Sequence, residues 1–310
     1  MKSIKIIKFI HRGEVFVLPQ DFKLLSPKID VIFQKLFGEV GSEEITKDFL
    51  NAILEEDIAS VDLSQNIVLR RDDIQDKLGI LDVLVHFNNS EICNIEMQMI
   101  SQTNIIQRLL YYWSKTYIKN IKKSQDYSNL KRTICILIAN FTLDSLKELD
   151  FLSKWKLIDL NGRKKVLTDL IEIDIIELPK IHSFDKNKQS KILNWLYFLE
   201  NPSSKVVDNI MKENKAIKQA KDKLQEMSYD DKMQRLQELR EAAIYEENTA
   251  KSTSFRAGLE QGLVKGKAEG KIDGKREKQI EIAKKMKKEG LEIELISKMT
   301  ELSIEEIKIL

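Results

Sequence analysis

Asp82, Glu96 and Gln98 are the residues whose types and spacing point most directly to chemistry. They lie in LDVLVHFNNSEICNIEMQM, two strand-like runs around Asn88-Asn89-Ser90. A strand sets residues i and i+2 on one face, so Glu96 and Gln98 project together while Ile95 and Met97 point the other way. Two hairpin registers are available. A three-residue loop at 88–90 sets Phe87 opposite Glu91 and Asp82 opposite Glu96, whereas a two-residue loop at Asn88-Asn89 flips one strand and separates the acids. The three-residue loop is expected, because it gathers Leu81, Val83, Val85, Phe87, Cys93, Ile95 and Met97 on the opposite, inward face. Directly opposed carboxylates repel unless a cation neutralises them. Two carboxylates and a neighbouring backbone carbonyl, that of Met97, suit Mg²⁺, with Mn²⁺ sharing the preference. Such an ion polarises a phosphoryl oxygen, activates water and stabilises a leaving alkoxide. His86 shares the parity of Asp82, and a lone histidine near a strand end reads first as structural.

The elements that must hold this hairpin are legible around it. A helix is expected from Ser26-Pro27, with Ile29, Ile32, Phe33, Leu36 and Phe37 inward, Asp30 beside that stripe and a stop at Gly38. EEITKDFLNAILEE gives a second helix, and SVDLSQNIVLRRDD turns to a strand-like pattern. After the hairpin, IIQRLLYYWSKTYIKNI reads as a long helix. RTICILIANF is a continuous apolar run of the kind that fills a doubly covered strand. WKLIDLNGRKKVLTDLIEIDIIELP gives a further hairpin turned at Asn161-Gly162 and an edge strand ended by Pro179. The order argues an α/β domain with a mixed central sheet flanked by helices. Four segments are expected: an arm at 1–22, the main domain at 23–200, a charged helical linker at 201–250, and a helical C-terminal tail at 251–310.

Bulk composition bounds the alternatives. A hydrophobic fraction of 42% supports a real core, and 32% charged residues balance to a net charge of only +2, so affinity for a polyanion must come from local charge placement. Cys93 and Cys135 lie in apolar runs, which excludes a disulfide framework and fits a reduced, cytoplasmic protein. No stretch approaches a membrane span. His11, His86 and His182 lack ligand spacing, which argues against zinc. No phosphate-cradling glycine loop follows a strand, so no nucleotide cofactor is expected.

The tail carries its own pattern. Gly258, Gly262, Gly266, Gly270 and Gly274 recur every four residues. On one helix they form a smooth stripe that admits another backbone closely, and Lys265, Lys267, Lys271, Lys275 and Arg276 forbid a lipid setting. Close pairing between copies of the chain and a flexible basic linker are both open readings. The final segment reads as short helices joined at Gly290, with Ser303 and Glu306 matching a capping box and Lys284, Lys285, Lys287 and Lys288 forming a basic cluster.

Along SPKIDVIFQKLFG, ITKDFLNAILEE, LGILDVLVHFNNSEICNIEMQ, QRLLYYWSKTYI and QDYSNLKRTICILIANF, and on into the glycine repeat and ISKMTELSIEEIKIL, the chain resembles the Rpn-type recombination-promoting nucleases. These are the transposase-like members of the PD-(D/E)XK nuclease superfamily. The resemblance implies a restriction-endonuclease-like core and a metal-dependent DNA endonuclease in recombination or transposition-like activity. It implies that Asp82 and Glu96 are metal ligands and that Gln98 stands where many members have lysine. It also gives Asp30 an assisting catalytic role. Glutamine orients a water or phosphate by hydrogen bonds alone, where lysine brings charge. The family's Phe-Lys pair is Phe33-Gln34 here, which moves the lysine to Lys35, about 100° further around the helix. Arg108, with Gln107 and Tyr112 beside it, is the leading phosphate-contact candidate, since arginine offers a rigid fork of donors. Lys35, Arg70 and Arg71 are further DNA-contact candidates. Tyr111, Trp113 and Tyr117 are expected in the core rather than stacked on bases. The alternative reading is a catalytically weak or inactive DNA-binding or regulatory protein, including one defending against foreign DNA, that self-associates through its helical C-terminus.

Overall fold

The computed structural model describes residues 8–11, 14–17, 23–64, 83–88, 91–122, 124–183 and 190–310. They divide into two compact units, Met1–Ile244 and Tyr245–Leu310.

The first unit is built on a six-stranded mixed sheet. Its elements run β1 (Lys8–His11), β2 (Glu14–Val17), α1 (Asp30–Gly38), α2 (Glu43–Leu54), β3 (Val61–Asp62), β4 (Val83–Phe87), β5 (Glu91–Gln98), α3 (Ile105–Lys119), β6 (Thr133–Ala139), β7 (Leu152–Trp155), β8 (Ile171–Glu177), α4 (Lys191–Glu200), α5 (Lys205–Ile210) and α6 (Lys215–Ser228). β1 and β2 form an antiparallel hairpin of their own. The main sheet has the order β3-β4-β5-β6-β8-β7, with β5, β6 and β8 parallel and the remaining pairs antiparallel. β6 is buried along its whole length, as the apolar run TICILIA requires of a strand covered on both faces. The expected edge strand, Ile171–Glu177, lies inside the sheet, and β7 takes the edge. The reason is that β8 buries residues of both parities, which an edge strand facing water on one side does not do.

Alternation along each strand sorts the sheet into two faces. Val83, Val85, Phe87, Cys93, Ile95, Met97, Ile134, Ile136, Ile138 and Ile176 join the core formed with α1, α2 and α4. Cys135, Leu137, Ala139, Ile173 and Ile175 face Ile105 and Leu109 of α3 in a second, smaller core. The larger core centres on Trp195, fully buried against Phe37, Phe49 and Phe198 at ring separations of 5.3–5.9 Å. Its indole N–H donates to Asp48 Oδ1 at 2.7 Å, which satisfies the one polar atom an indole carries.

α1 begins at Asp30, later than Ser26-Pro27. Residues 26–29 form a turn closed by Ile29 N–H to the Ser26 carbonyl at 3.1 Å, and Ile29 enters the core from it. The span 201–250, expected as a linker, holds α5, α6 and the first part of α7 (Asp231–Lys288). Val207, Ile217, Ala220 and Leu224 are fully buried in the larger core, and the first unit extends to Ile244. Lys223 of α6 donates to the Lys35 carbonyl at 2.6 Å and so satisfies an orphan acceptor in the last turn of α1.

A buried acid sits in the larger core. Asp174 of β8 is 0% exposed, pairs in register with Ile136 and Lys154, and among the described residues has neither carboxylate oxygen hydrogen-bonded. Lys154 Nζ lies 3.7 Å away and spends a hydrogen bond on the Ile53 carbonyl. Burial pushes the Asp174 carboxyl up to about 7, against the opposing pull of Lys154. A carboxyl whose folded value exceeds its unfolded value favours folding only while protonated. Stability is therefore lost as pH rises from about 4 to about 7. Asp174→Asn removes that cost but still buries an amide, worth about 1–3 kcal/mol if unpaired, so a net gain of about 2 kcal/mol is expected at pH 8. Denaturant melts across pH check this. The gain should vanish below about pH 4, and a destabilised variant at pH 8 would contradict it.

The second unit comprises the rest of α7 with α8 (Ile293–Thr300) and α9 (Ile304–Ile309). The five repeat glycines are helical within α7, with open space where each Cβ would stand. Ala283, Ile296, Leu302 and Ile307 form a small core. Gly290 turns the chain at φ +82°, and the capping box at Ser303 and Glu306 is formed. Among the described residues no helix is long and apolar enough to cross a membrane.

Candidate active site

The β4–β5 hairpin has the register expected for a three-residue loop: Phe87 faces Glu91 and Val83 faces Ile95. Asn88 takes φ +43°, a region asparagine tolerates, and its side-chain oxygen accepts the Ala59 N–H at 3.0 Å. Asp82, together with Leu81, Arg70 and Arg71, lies outside the described residues.

Glu96 is paired in register with Leu137 of β6 and projects to the face covered by α3. It is 1% exposed. Its Oε1 accepts the Asn94 side-chain N–H at 3.1 Å, and its Oε2 is buried without a hydrogen bond among the described residues. Arg108 reaches down from α3, with Nη2 3.9 Å from Oε2. Burial pushes the Glu96 carboxyl up to about 7; Arg108 and the Asn94 hydrogen bond pull the other way without cancelling it. The guanidinium is itself held, with Nη1 bonded to Gln102 Oε1 at 3.4 Å and the group 5.3 Å from the centre of the Tyr112 ring.

Gln98 ends β5 half-buried, and its carbonyl accepts the Asn140 N–H at 2.9 Å. Asp30 opens α1, where Oδ1 accepts the Val31 N–H at 2.8 Å and lies 3.4 Å from Arg240 Nε of α7. Lys35 pairs with Glu39 at 2.8 Å, and Gln107 is exposed on α3. The structure thus brings Arg108 to Glu96, with Gln98 two residues along the same strand. Asp30 and Lys35 are instead partnered by Arg240 of α7 and by Glu39, just past the end of α1.

Two uncharged residues around the Glu96–Arg108 pair carry no signal of their own in the sequence: Asn94, which shares the face of Glu96 by strand alternation, and Gln102, which lies just before α3 and holds Arg108. Tyr112, expected beside Arg108, lies one turn beyond it and takes the guanidinium on its ring. Tyr112 is the buried aromatic of the helix, in phase with Ile105, Leu109 and Thr116, while Tyr111 is 49% exposed. Trp113 donates to the Thr133 carbonyl at 2.8 Å and stacks on Tyr117 at 4.9 Å. His86 pairs with Asp62 of β3 in the ladder, and burial holds its imidazole below its ordinary value.

A buried carboxylate oxygen without a hydrogen bond among the described residues, its cationic neighbour Arg108 no nearer than 3.9 Å, is a fit for a hard cation, which supplies the ligand bond that the protein withholds. Among the described residues no group of three or more histidine, cysteine or acidic side chains is placed to bind a metal. The one buried carboxylate described at the site offers a single hard oxygen donor, the kind used by an ion that retains several waters.

Neither curated proteins nor solved structures give a significant match to the chain. A family model described as PD-(D/E)XK nuclease family transposase matches residues 27–254, and its span takes in α1, the β4–β5 hairpin, α3 and the helices up to the first part of α7. With most of its length inside that match, and a mixed sheet flanked by helices, the chain belongs to the PD-(D/E)XK nuclease family transposases.

Proposed function

We propose that the protein is a Mg²⁺-dependent DNA endonuclease, with Mn²⁺ able to substitute, in which Asp82 and Glu96 hold the ion. The carrying observation is the orphaned, buried Oε2 of Glu96. The hairpin register supports the pairing, because Phe87 stands opposite Glu91 and Val83 opposite Ile95, which is the three-residue-loop register that the expected pairing of Asp82 with Glu96 requires. The bound ion supplies an activated water and charge on the phosphoryl oxygen. Gln98 orients water or phosphate through its amide, Arg108 offers its fork to a phosphate oxygen, and Asp30 assists from the start of α1. The two free, buried cysteines fit a reduced cytoplasm. The exposed glycine stripe of α7 supports self-association through the tail.

A reading of DNA binding without cleavage draws on Arg108, whose guanidinium already stands where a cation would neutralise Glu96. One experiment separates the two. Purified protein is incubated with plasmid across a divalent-metal series beside Asp82→Ala. Cleavage that requires metal and falls at least about 100-fold in the variant is expected, a loss of about 2.7 kcal/mol or more of transition-state stabilisation. Cleavage that persists in Asp82→Ala with the same metal dependence removes this site.

A further inference from the structure

Hydrolysis of a phosphodiester places growing negative charge on the phosphoryl oxygens, and preorganised cations aimed at that charge are a large source of rate. The proposed site is poor in them. Gln98 is uncharged, and the Arg108 fork offered to phosphate is shared with Glu96, Gln102 and the Tyr112 face. The carboxyl end of the same strands holds another cation. Lys28, in the turn before α1, donates to Asn140 Oδ1 at 3.1 Å and to Glu200 Oε2 at 3.2 Å. Asn140 follows β6 and gives its own backbone N–H to the Gln98 carbonyl at 2.9 Å. Two hydrogen bonds thus join the ammonium to the last residue of β5. The Lys28 side chain is 15% exposed, so its position is fixed by packing as well as by these bonds.

An ammonium has three N–H donors. Asn140 and Glu200 take two, and among the described residues the third has no partner. In open α/β sheets ligands bind beyond the carboxyl ends of the parallel strands, and that is the end of β5 and β6 at which Lys28 is held. We propose that Lys28 is a phosphate ligand of this site and supplies the positive charge that Gln98 lacks. The proposal rests on the nuclease reading for its role in catalysis, but the contact itself is a binding property and is tested without cleavage.

The test uses the full chain and a short DNA duplex in EDTA, with affinity measured across salt concentrations. Glu200→Gln is compared with Lys28→Gln/Glu200→Gln, a pair of neutral side chains that can keep bonding to each other and to Asn140. Loss of one phosphate contact lowers the slope of log K against log salt by about 0.9. An equal slope in the two variants overturns the proposal. Because variants can lose the fold, the unmodified protein gives a second reading: bound duplex should protect Lys28 from acetylation, scored by mass spectrometry, and an unprotected Lys28 overturns the proposal. In cleavage assays kcat should fall about 100-fold in Lys28→Gln/Glu200→Gln and recover when Gln98→Lys is added. A purely structural clamp between α1 and α4 gives a loss that Gln98→Lys leaves in place, and that result also overturns the proposal. Failure of the wild-type protein to cleave at all defeats the nuclease reading, while slope and protection still decide Lys28.

Discussion

Replacing Arg132 by methionine is expected to cost the first unit about 3–5 kcal/mol of stability, a large share of the 5–15 kcal/mol typical of a folded domain. Arg132 precedes β6 at the amino end of the parallel strands, opposite to the end that carries Gln98. Its guanidinium meets Glu56 in a two-point fork at 2.7 and 3.0 Å, Glu91 at 3.2 Å and Glu172 at 2.5 Å. One cation therefore ties the segment after α2 to the starts of β5 and β8. The pair with Glu172 is deeply placed, since that carboxylate is 4% exposed as a side chain, with Lys156 at 3.2 Å as a further cation. Methionine fills similar volume but leaves three carboxylates facing one another with their desolvation unrecovered. Lysine should restore only part of the loss, because a point charge cannot satisfy three partners through a planar fork. Urea unfolding measures the difference. Burial works to raise the Glu172 carboxyl, but Arg132, helped by Lys156, holds it below its ordinary value, so the destabilisation carried by that pair should be full at pH 7 and shrink as pH falls through the carboxylate range. A loss under about 1 kcal/mol at pH 7 would class these as surface pairs of little weight.

Why this cluster is invisible in the sequence also explains what was visible. Glu56, Glu91, Arg132 and Glu172 are separated by tens of residues and meet only because β6 runs parallel between β5 and β8, a pairing no local pattern encodes. The hairpin register is the opposite case. Alternation of apolar and polar residues over a few positions decides it, since a one-residue slip would turn one strand over and carry either Val83 and Val85 or Cys93 and Ile95 away from the larger core. The capping box at Ser303 is likewise local and forms as its residue types require. The place of β8 inside the sheet depends on β7 returning to cover its edge. The composition of α6 reads as solvated, yet Ile217, Ala220 and Leu224 recur at helical spacing on one face and are buried in the larger core, while Lys221 and Lys223 extend their stems across it to reach Asp208 and the end of α1. At the site, acids and cations were legible by type. Asn94 was not, because an amide announces itself only once its hydrogen-bond partner is known.

Glu96→Gln is expected to lower cleavage at least about 100-fold and to erase the stabilisation that Mg²⁺ gives the wild-type protein, while leaving the metal-free fold intact. The fold should survive because the substitution keeps shape and removes a charge that burial disfavours. Asn94 can accommodate the new amide: among the described residues its Oδ1 has no hydrogen-bond partner, so a flip presents an acceptor to the glutamine N–H₂ while the glutamine oxygen turns to Arg108. The metal should be lost because an amide oxygen without formal charge is a weak ligand for a hard cation and cannot replace the carboxylate that faces Asp82 in the proposed pair. Thermal melts with and without Mg²⁺ separate these effects. Wild-type protein gains about 2.7 kcal/mol when the ion is present at a hundred times its dissociation constant, and the variant gains nothing. Asp174→Asn is the matched control, since it too neutralises a fully buried acid pushed up to about 7, but on the opposite face of the sheet. It should leave both cleavage and the Mg²⁺ response unchanged. Metal-dependent cleavage retained by Glu96→Gln would remove Glu96 from the ligand set, and with it the reason this acid is buried beneath α3 without a hydrogen bond to its second oxygen.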